Sequence, residues 1–239
     1  PSRRRMAPEF AKFFDEWTDD NNFYLVTGSD IEKVKEQIPT LYLERSQGVF
    51  TCCGNVFYKT KIKKWEDTED IDLVKVYEHK FEPPTGFVEY LQEKLKDSKY
   101  HHRAGNHIEN RGSMINFSVV GRDCSLEERK DYFEYDNKHK EREKIVNDMK
   151  EKWPTLESSI GGQISIDIYE PGMDKSQIFH HIKKNFTGLI NRYVFIGDRT
   201  MLGGNDYPIS KLIDNTKNGL SYQTEGPSET QKILESLID

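Results

Sequence analysis

Cysteine is scarce: three in 239 residues, Cys52, Cys53 and Cys124. The first two are adjacent, a spacing that rarely bridges, so a disulfide-stapled secreted domain is excluded and a reducing compartment fits. Long hydrophobic runs are also missing. No apolar stretch approaches membrane-spanning length, and the arginines at Arg3, Arg4 and Arg5 are followed by no apolar core of a leader peptide. A cytoplasmic protein with no membrane partner is expected. Nor is there an excess of positive charge: 35 Lys and Arg stand against 41 Asp and Glu, a formal net charge of -6. That balance argues against nucleic acid as the main partner and leaves room only for a local basic pocket. There is no internal repeat and no low-complexity tract.

What is present is enough for a globular fold. Charged residues make up 32% and hydrophobic ones 35%, and aromatics are too plentiful for a disordered chain. At this length a single large domain or two ordinary ones can bury a core. Phe10, Phe13, Phe14 and Trp17 fall at helical spacing behind Pro8, which suits a first helical turn. The apolar run Phe23–Val26 reads as a strand covered on both faces, followed by the turn Thr27–Asp30 and a helix carrying Ile31, Val34 and Ile38. Tyr193–Ile196 repeats this grammar near the end and leads into Gly197–Asp206, a turn rich in Gly and Asp. The two strands imply one parallel sheet. Between them, Phe87–Leu95 and the charged span Leu126–Trp153 read as helical, while Met114–Val119 and Gln163–Ile168 alternate with period two. Such alternation predicts an antiparallel sheet with one face on helices and one facing outward. The expected fold is therefore α/β, with a discontinuous parallel-sheet core over 1–72 and 171–239 and an inserted α+β unit over 73–170.

Gly197–Asp206 places two carboxylates, Asp198 and Asp206, in a flexible turn directly after a strand, where oxygen ligands can hold magnesium. The plainer alternative is an Asx turn that caps the next helix. Lys175 opens a helix and can neutralise a transferring phosphoryl group, or it is one more solvated lysine. Thr27 and Ser29 sit where a sheet-edge turn binds phosphate, although helix capping explains a Ser-Asp pair equally well. Arg111, Arg122 and Arg129 suit phosphate, and Ser165 with Asp167 suit sugar hydroxyls, but exposed ion pairs with Glu127 and Glu128 account for the arginines on composition alone. The pairs His101-His102 and His180-His181 point to different faces and are poor metal sites, Cys52 and Cys53 read as small buried side chains, and Lys59–Lys64 reads as a solvated strand and turn.

Taken together, Thr27–Val34, Val120–Ser125 with Glu127–Arg129, Ile160–Asp167 and Gly197–Asp206 resemble the eukaryotic-type phosphomannomutases of the haloacid-dehalogenase superfamily, over nearly the whole chain. The resemblance implies a Rossmann-like haloacid-dehalogenase core, a parallel sheet with helices on both faces, and a mobile inserted cap. It implies a mutase interconverting mannose 6-phosphate and mannose 1-phosphate, with Mg2+ and a hexose 1,6-bisphosphate activator, and a homodimer formed through the cap. Arg3, Arg111, Arg122 and Arg129 then match the family's sugar-phosphate arginines, with Ser165 and Asp167 as further substrate contacts. Asp198 matches a metal ligand, Asp206 the second acid of that motif, and Ser29 and Lys175 lie in the phosphate-binding segments. Two departures stand out. The family's Asp-x-Asp-Gly-Thr strand, carrying nucleophile and acid/base, is not in this sequence; Pro1-Ser2-Arg3 resembles the residues immediately downstream of that strand, so the chain as written is expected to lack it and to be inactive alone. Thr51–Asn55 stands where relatives carry Pro-Glu-Asn-Gly. A sugar phosphatase of the same superfamily, or a non-catalytic sugar-phosphate-binding protein, are the rival expectations.

Overall fold

The computed structural model describes residues 5–65, 68–186 and 192–237. In chain order its elements are α1 (Pro8–Asp20), β1 (Leu25–Val26), α2 (Ile31–Gln37), α3 (Thr40–Arg45), β2 (Val49–Thr51), β3 (Val56–Trp65), β4 (Thr68–Glu78) and α4 (Phe87–Asp97). Next come β5 (Ile108–Asn110), β6 (Ile115–Phe117), α5 (Leu126–His139), α6 (Glu141–Lys152), β7 (Glu157–Gly161), β8 (Ser165–Tyr169), α7 (Ser176–Asn185), β9 (Tyr193–Gly197), α8 (Tyr207–Asp214), β10 (Gly219–Gln223) and α9 (Pro227–Glu235). Among the described residues no helix is long and apolar enough to cross a membrane.

The first helix forms as its periodicity predicts. Pro8 occupies its first turn, and Phe10, Phe14 and Trp17 stack along one face against Phe23, Tyr42 and Leu234. The Tyr42 hydroxyl donates to the Ala11 carbonyl at 2.6 Å, tying α3 to α1. The charged span after Leu126 is two helices. Ser125 and Glu128 form a capping box at the start of α5, and the left-handed Lys140 breaks the chain before α6.

Three sheets carry the strands: β1-β2-β3-β4, β10-β9 and β5-β6-β8-β7. The expectation of one parallel sheet is corrected here. β1 pairs parallel with β2 and β9 parallel with β10, but the two pairs are not joined, because among the described residues no strand bridges them. Their side chains still share one core, where Tyr24 and Val26 join Tyr193 and Phe195 over Ile178, Phe179, Ile209 and Ile213. Full burial of the two apolar runs fails for the same reason. β1 is two residues long and only half-buried, and on β9 Val194 is 37% exposed, as edge strands must be. Lys59–Lys64 is not a strand and turn but the interior of β3, in a long hairpin with β4. β4 also runs unbroken through residue 72. Beyond it, His79 and Glu170 pair at 2.9 Å, where the chain leaves for β5-β6-β8-β7 and where it returns.

That antiparallel sheet divides its side chains by parity. Ile115, Phe117, Ile166 and Ile168 pack on Phe87 and Leu91 of α4, Tyr132 of α5 and Ile145 and Met149 of α6, the largest apolar cluster among the described residues. The opposite face is polar. Register aligns Glu109, Asn116, Asp167 and Ser159 in one row across all four strands. This face was expected to look outward, yet every residue of β8 is buried. The turns after β1 and β9 cover it, and Asp167 is satisfied there by amide partners instead of water.

Candidate active site

The centre of the site is Lys175 and Asp206, 5% and 3% exposed. Lys175 caps α7 and Asp206 precedes α8; Lys175 Nζ donates to Asp206 Oδ1 at 2.5 Å. Asp206 Oδ2 accepts the Arg199 backbone N–H at 3.0 Å. The surface-lysine alternative is thereby removed. Burial alone would lower the Lys175 pKa, but the Asp206 charge raises it overall. For Asp206 burial works upward, and Lys175 outweighs it and holds the carboxyl below its ordinary value. Asp198 differs. It lies at the end of β9 beside Asp206, and burial followed by the Asp206 charge pushes its pKa up. The buried Asp206 and the exposed Asp198 thus lie near one lysine, an excess of negative charge in hard oxygen donors that fits a divalent cation completing its shell with water or phosphate. Among the described residues no group of three His, Cys, Asp or Glu side chains is gathered for a metal.

Asp167, 2% exposed, is the next node. Its Oδ1 accepts from Asn116 Nδ2 at 2.7 Å and its Oδ2 from Asn205 Nδ2 at 2.9 Å, with Cys53 Sγ at 3.7 Å. The approach of the polar sheet face to the two turns depends on glycine. A Cβ on Gly161 would lie 2.5 Å from Asp167 Oδ2, and one on Gly28 3.0 Å. Backbone bonds close the same seam: Ile160 N–H donates to Gly203 O at 3.0 Å, Asn205 N–H to Ile160 O at 3.1 Å, and the Arg199 guanidinium reaches the Gly162 carbonyl.

Thr27 and Ser29 shape the turn after β1. Ser29 N–H donates to Thr27 Oγ1 at 3.0 Å, while Asp30, not Ser29, caps α2 through the Lys33 N–H at 2.9 Å. Cys52 and Cys53 are buried, as expected, but both adopt left-handed backbone, φ 50° and 58°. Their N–H groups donate to the Ser29 and Thr27 carbonyls at 3.0 Å each, so this uncommon conformation pins the turn. Burial, then the Asp167 charge, raises the Cys53 thiol pKa well above its ordinary value, which makes it an inert side chain.

The arginines are not exposed ion-pair partners of α5. Arg129 is 2% exposed, on the inner side of that helix, while Glu128 serves the capping box and His102. Arg122 Nη1 donates to Ser165 Oγ at 2.8 Å. The Arg111 guanidinium bonds Glu109 through Nη2 at 2.5 Å and Nε at 3.1 Å, and reaches the Gly28 carbonyl through Nη1. Lys175, Asp206, Asp198, Asp167 and the Thr27–Ser29 turn therefore meet across one seam, with Ser165, Arg122 and Arg111 on the same sheet face. Arg3 lies outside the described residues. Sequence reasoning missed Asn116, Asn205, Glu109, Lys33 and Arg142. The buried Arg142 pairs with Asp136 at 2.8 Å and donates to the Gly161, Gly162 and Ser165 carbonyls, closing the β7–β8 turn. Alternation along β5 and β6 was the available signal for Glu109 and Asn116.

A buried lysine–aspartate pair beside the end of a parallel strand, covered by the polar face of an inserted antiparallel sheet, defines the class as an α/β protein with its candidate site between the two. Solved structures share this fold. The chain is similar to the N-terminally truncated IMP-nucleotidase of Plasmodium falciparum with a TM-score of 0.59 at 17% identity, covering 100% of this chain and spanning 65% of that one. A protein of Thermoplasma acidophilum aligns with a TM-score of 0.55 at 14% identity, over 98% of this chain and 90% of that one. The family model for eukaryotic phosphomannomutases matches residues 10–239, and the chain belongs to that family. It is 39% identical over 240 residues to the phosphomannomutase of Encephalitozoon cuniculi, covering 99% of this chain and 88% of that protein. With the Saccharomyces cerevisiae phosphomannomutase it shares 34% over 248 residues, 100% of this chain and 90% of that one.

Proposed function

We propose that the protein is a phosphomannomutase that interconverts mannose 6-phosphate and mannose 1-phosphate at the seam between the Thr27–Ser29 and Gly197–Asp206 turns and the polar face of β5-β6-β8-β7. The observation that carries this reading is the buried Lys175–Asp206 pair with Asp198 beside it, facing a sheet that bears arginine and serine. Lys175, itself buried, holds a fixed positive charge where a phosphoryl group transfers. Thr27 and Ser29 orient that phosphoryl group with hydroxyl and backbone donors. Arg122, steadied by Ser165, takes the phosphate at the far end of the hexose, and Arg129 and Arg111 add charge on the same side. Asp167 exchanges its amide partners for sugar hydroxyls. Mg2+, held by Asp198 with Asp206 as the second acid, would neutralise developing phosphoryl charge.

In this reading the phosphoryl carrier is an aspartate, the intermediate is a hexose bisphosphate that turns end for end, and hexose 1,6-bisphosphate serves as activator. Asp206 is committed to Lys175 and Arg199, so in this reading the carrier is another carboxylate, the aspartate of the Asp-x-Asp-Gly-Thr strand that the family resemblance implies. The edges of β1 and β9, whose side chains already share one core, are where such a strand fits. The same reading makes 1–72 and 171–239 the catalytic unit and 73–170 the cap, with β4 carrying the first boundary on to His79, and makes the cap the dimer contact. Replacing Arg122 by Ala tests it. Turnover of mannose 1-phosphate should fall through a raised KM; unchanged kinetics would remove Arg122 from the site.

A further inference from the structure

Glu109, on β5, stands at the centre of a cluster of cations. Its Oε2 accepts Arg111 Nη2 at 2.5 Å and Nε at 3.1 Å, its Oε1 accepts Lys33 Nζ at 3.0 Å, and Arg122 Nε lies 3.6 Å from Oε2. These cations come from three separate places: α2, the end of β5 and the loop after β6. Three cations converging on two oxygens is the arrangement that otherwise receives a phosphate monoester. Lys33 has one further carboxylate, Asp30, at 3.3 Å, which belongs to its own helix end. Burial alone would raise the Glu109 pKa, but Arg111, Arg122 and Lys33 hold it at about 2, so it is anionic at any working pH.

We propose that Glu109 is an internal anion that holds the place of a ligand phosphate among Lys33, Arg111 and Arg122, and raises the affinity threshold of this site so that free inorganic anions do not occupy it. The inference rests on the reading that these arginines bind a sugar phosphate. An entering anion must displace the carboxylate from Arg111 and Arg122. A hexose phosphate offsets that cost with contacts from its hydroxyls to Ser165 and Asp167; sulfate and inorganic phosphate have none to offer. Glu109 thus sets an affinity threshold common to all anions at this site, and acts through the arginines. Since the same competitor opposes every anion, removing it should strengthen sulfate and sugar phosphate by the same factor.

The test is calorimetric binding of inorganic sulfate and of mannose 6-phosphate to the full-length protein, so that no turnover is required. With Glu109→Gln the sulfate Kd should fall by about tenfold or more, given one unit charge removed a few ångströms from a bound dianion, and the mannose 6-phosphate Kd should fall in parallel. An unchanged sulfate Kd overturns the proposal. A weaker one does so too, and assigns Glu109 to orienting Arg111. Glu109→Asp keeps the charge but withdraws it by one methylene, and should give a smaller tightening; if the Gln variant does not fold, a sulfate Kd of the Asp variant equal to the parent's overturns the proposal by itself. Arg122→Ala separates the two levels. Should it abolish mannose 6-phosphate binding while Glu109→Gln tightens nothing, the placeholder fails and the substrate site stands; should it leave binding intact, the site reading falls and the placeholder with it.

Discussion

Replacing Lys175 by Met strips a buried carboxylate of its main counter-charge. Asp206 Oδ1 loses the ammonium group 2.5 Å away, and the carboxylate keeps the Arg199 N–H and the neighbouring Asp198, neither of which carries a positive side-chain charge to replace it. Breaking a buried pair from one side costs about 3–5 kcal/mol, because the remaining charge is left uncompensated. For a chain of this size that corresponds to a fall in Tm of about 6–20 °C. Acid should narrow the difference. In the parent the Asp206 pKa is depressed, so its contribution is complete above the unfolded value near 3.8 and disappears as pH falls through the lower folded value. In the variant Asp206 lacks that depression, so the stability gap is widest near neutrality and closes below about pH 4. Thermal unfolding followed by circular dichroism from pH 7 down to pH 3 measures both effects. The double replacement Lys175→Met with Asp206→Asn supplies the control: with both charges gone it should regain most of the lost stability. A single variant as stable as the parent at pH 7, or a double variant less stable than the single, would refute the assignment of this pair.

Arg122→Ala should reduce kcat/KM for mannose 1-phosphate by roughly 10- to 150-fold, the range of one or two hydrogen bonds to a charged group, with most of the loss in KM; steady-state kinetics reads this directly. Gly161→Ala should drive a methyl group to within 2.5 Å of Asp167 Oδ2, separate that carboxylate from Asn116 and Asn205, and weaken mannose 6-phosphate binding in a calorimetric titration. Arg142→Met leaves Asp136 buried without its guanidinium and takes a donor from the Gly161, Gly162 and Ser165 carbonyls, of which Gly162 keeps Arg199, and should cost about 3–5 kcal/mol in urea unfolding. Glu109, depressed from 4.5 to about 2, adds stability above its unfolded pKa that is lost as pH falls toward 2; Glu109→Gln should flatten that part of the acid limb.

Local pattern made several of these features legible. α1 follows from apolar spacing behind Pro8, and the strand–turn units at Phe23–Asp30 and Tyr193–Asp206 follow from apolar runs ended by Gly and Asp. Parity along Gln163–Ile168 placed Ser165 and Asp167 on one face of β8. What covers that face was not legible, since the seam is made by turns distant in sequence, the first of them more than a hundred residues away, and outward exposure is the natural expectation for an alternating strand. The union of the two parallel pairs failed for a related reason: buried character in β1 and β9 was real in their side chains but did not specify their hydrogen-bond partners. Lys175 shows the opposite case. Nothing local distinguishes it from a solvated lysine, and only its pairing with Asp206, thirty-one positions on, reveals its burial. Glu109 stayed hidden because a carboxylate close to a basic residue reads as an ordinary surface ion pair.

The central question is what the seam does to a hexose phosphate. Phosphorus NMR of mannose 1-phosphate incubated with the full-length protein, magnesium and a catalytic amount of hexose 1,6-bisphosphate reads it without a coupled assay. A mutase site predicts that the mannose 6-phosphate resonance grows to a stable ratio with mannose 1-phosphate while inorganic phosphate stays low. Release of inorganic phosphate without isomerisation, or no change while the folded protein binds mannose 6-phosphate, would contradict it.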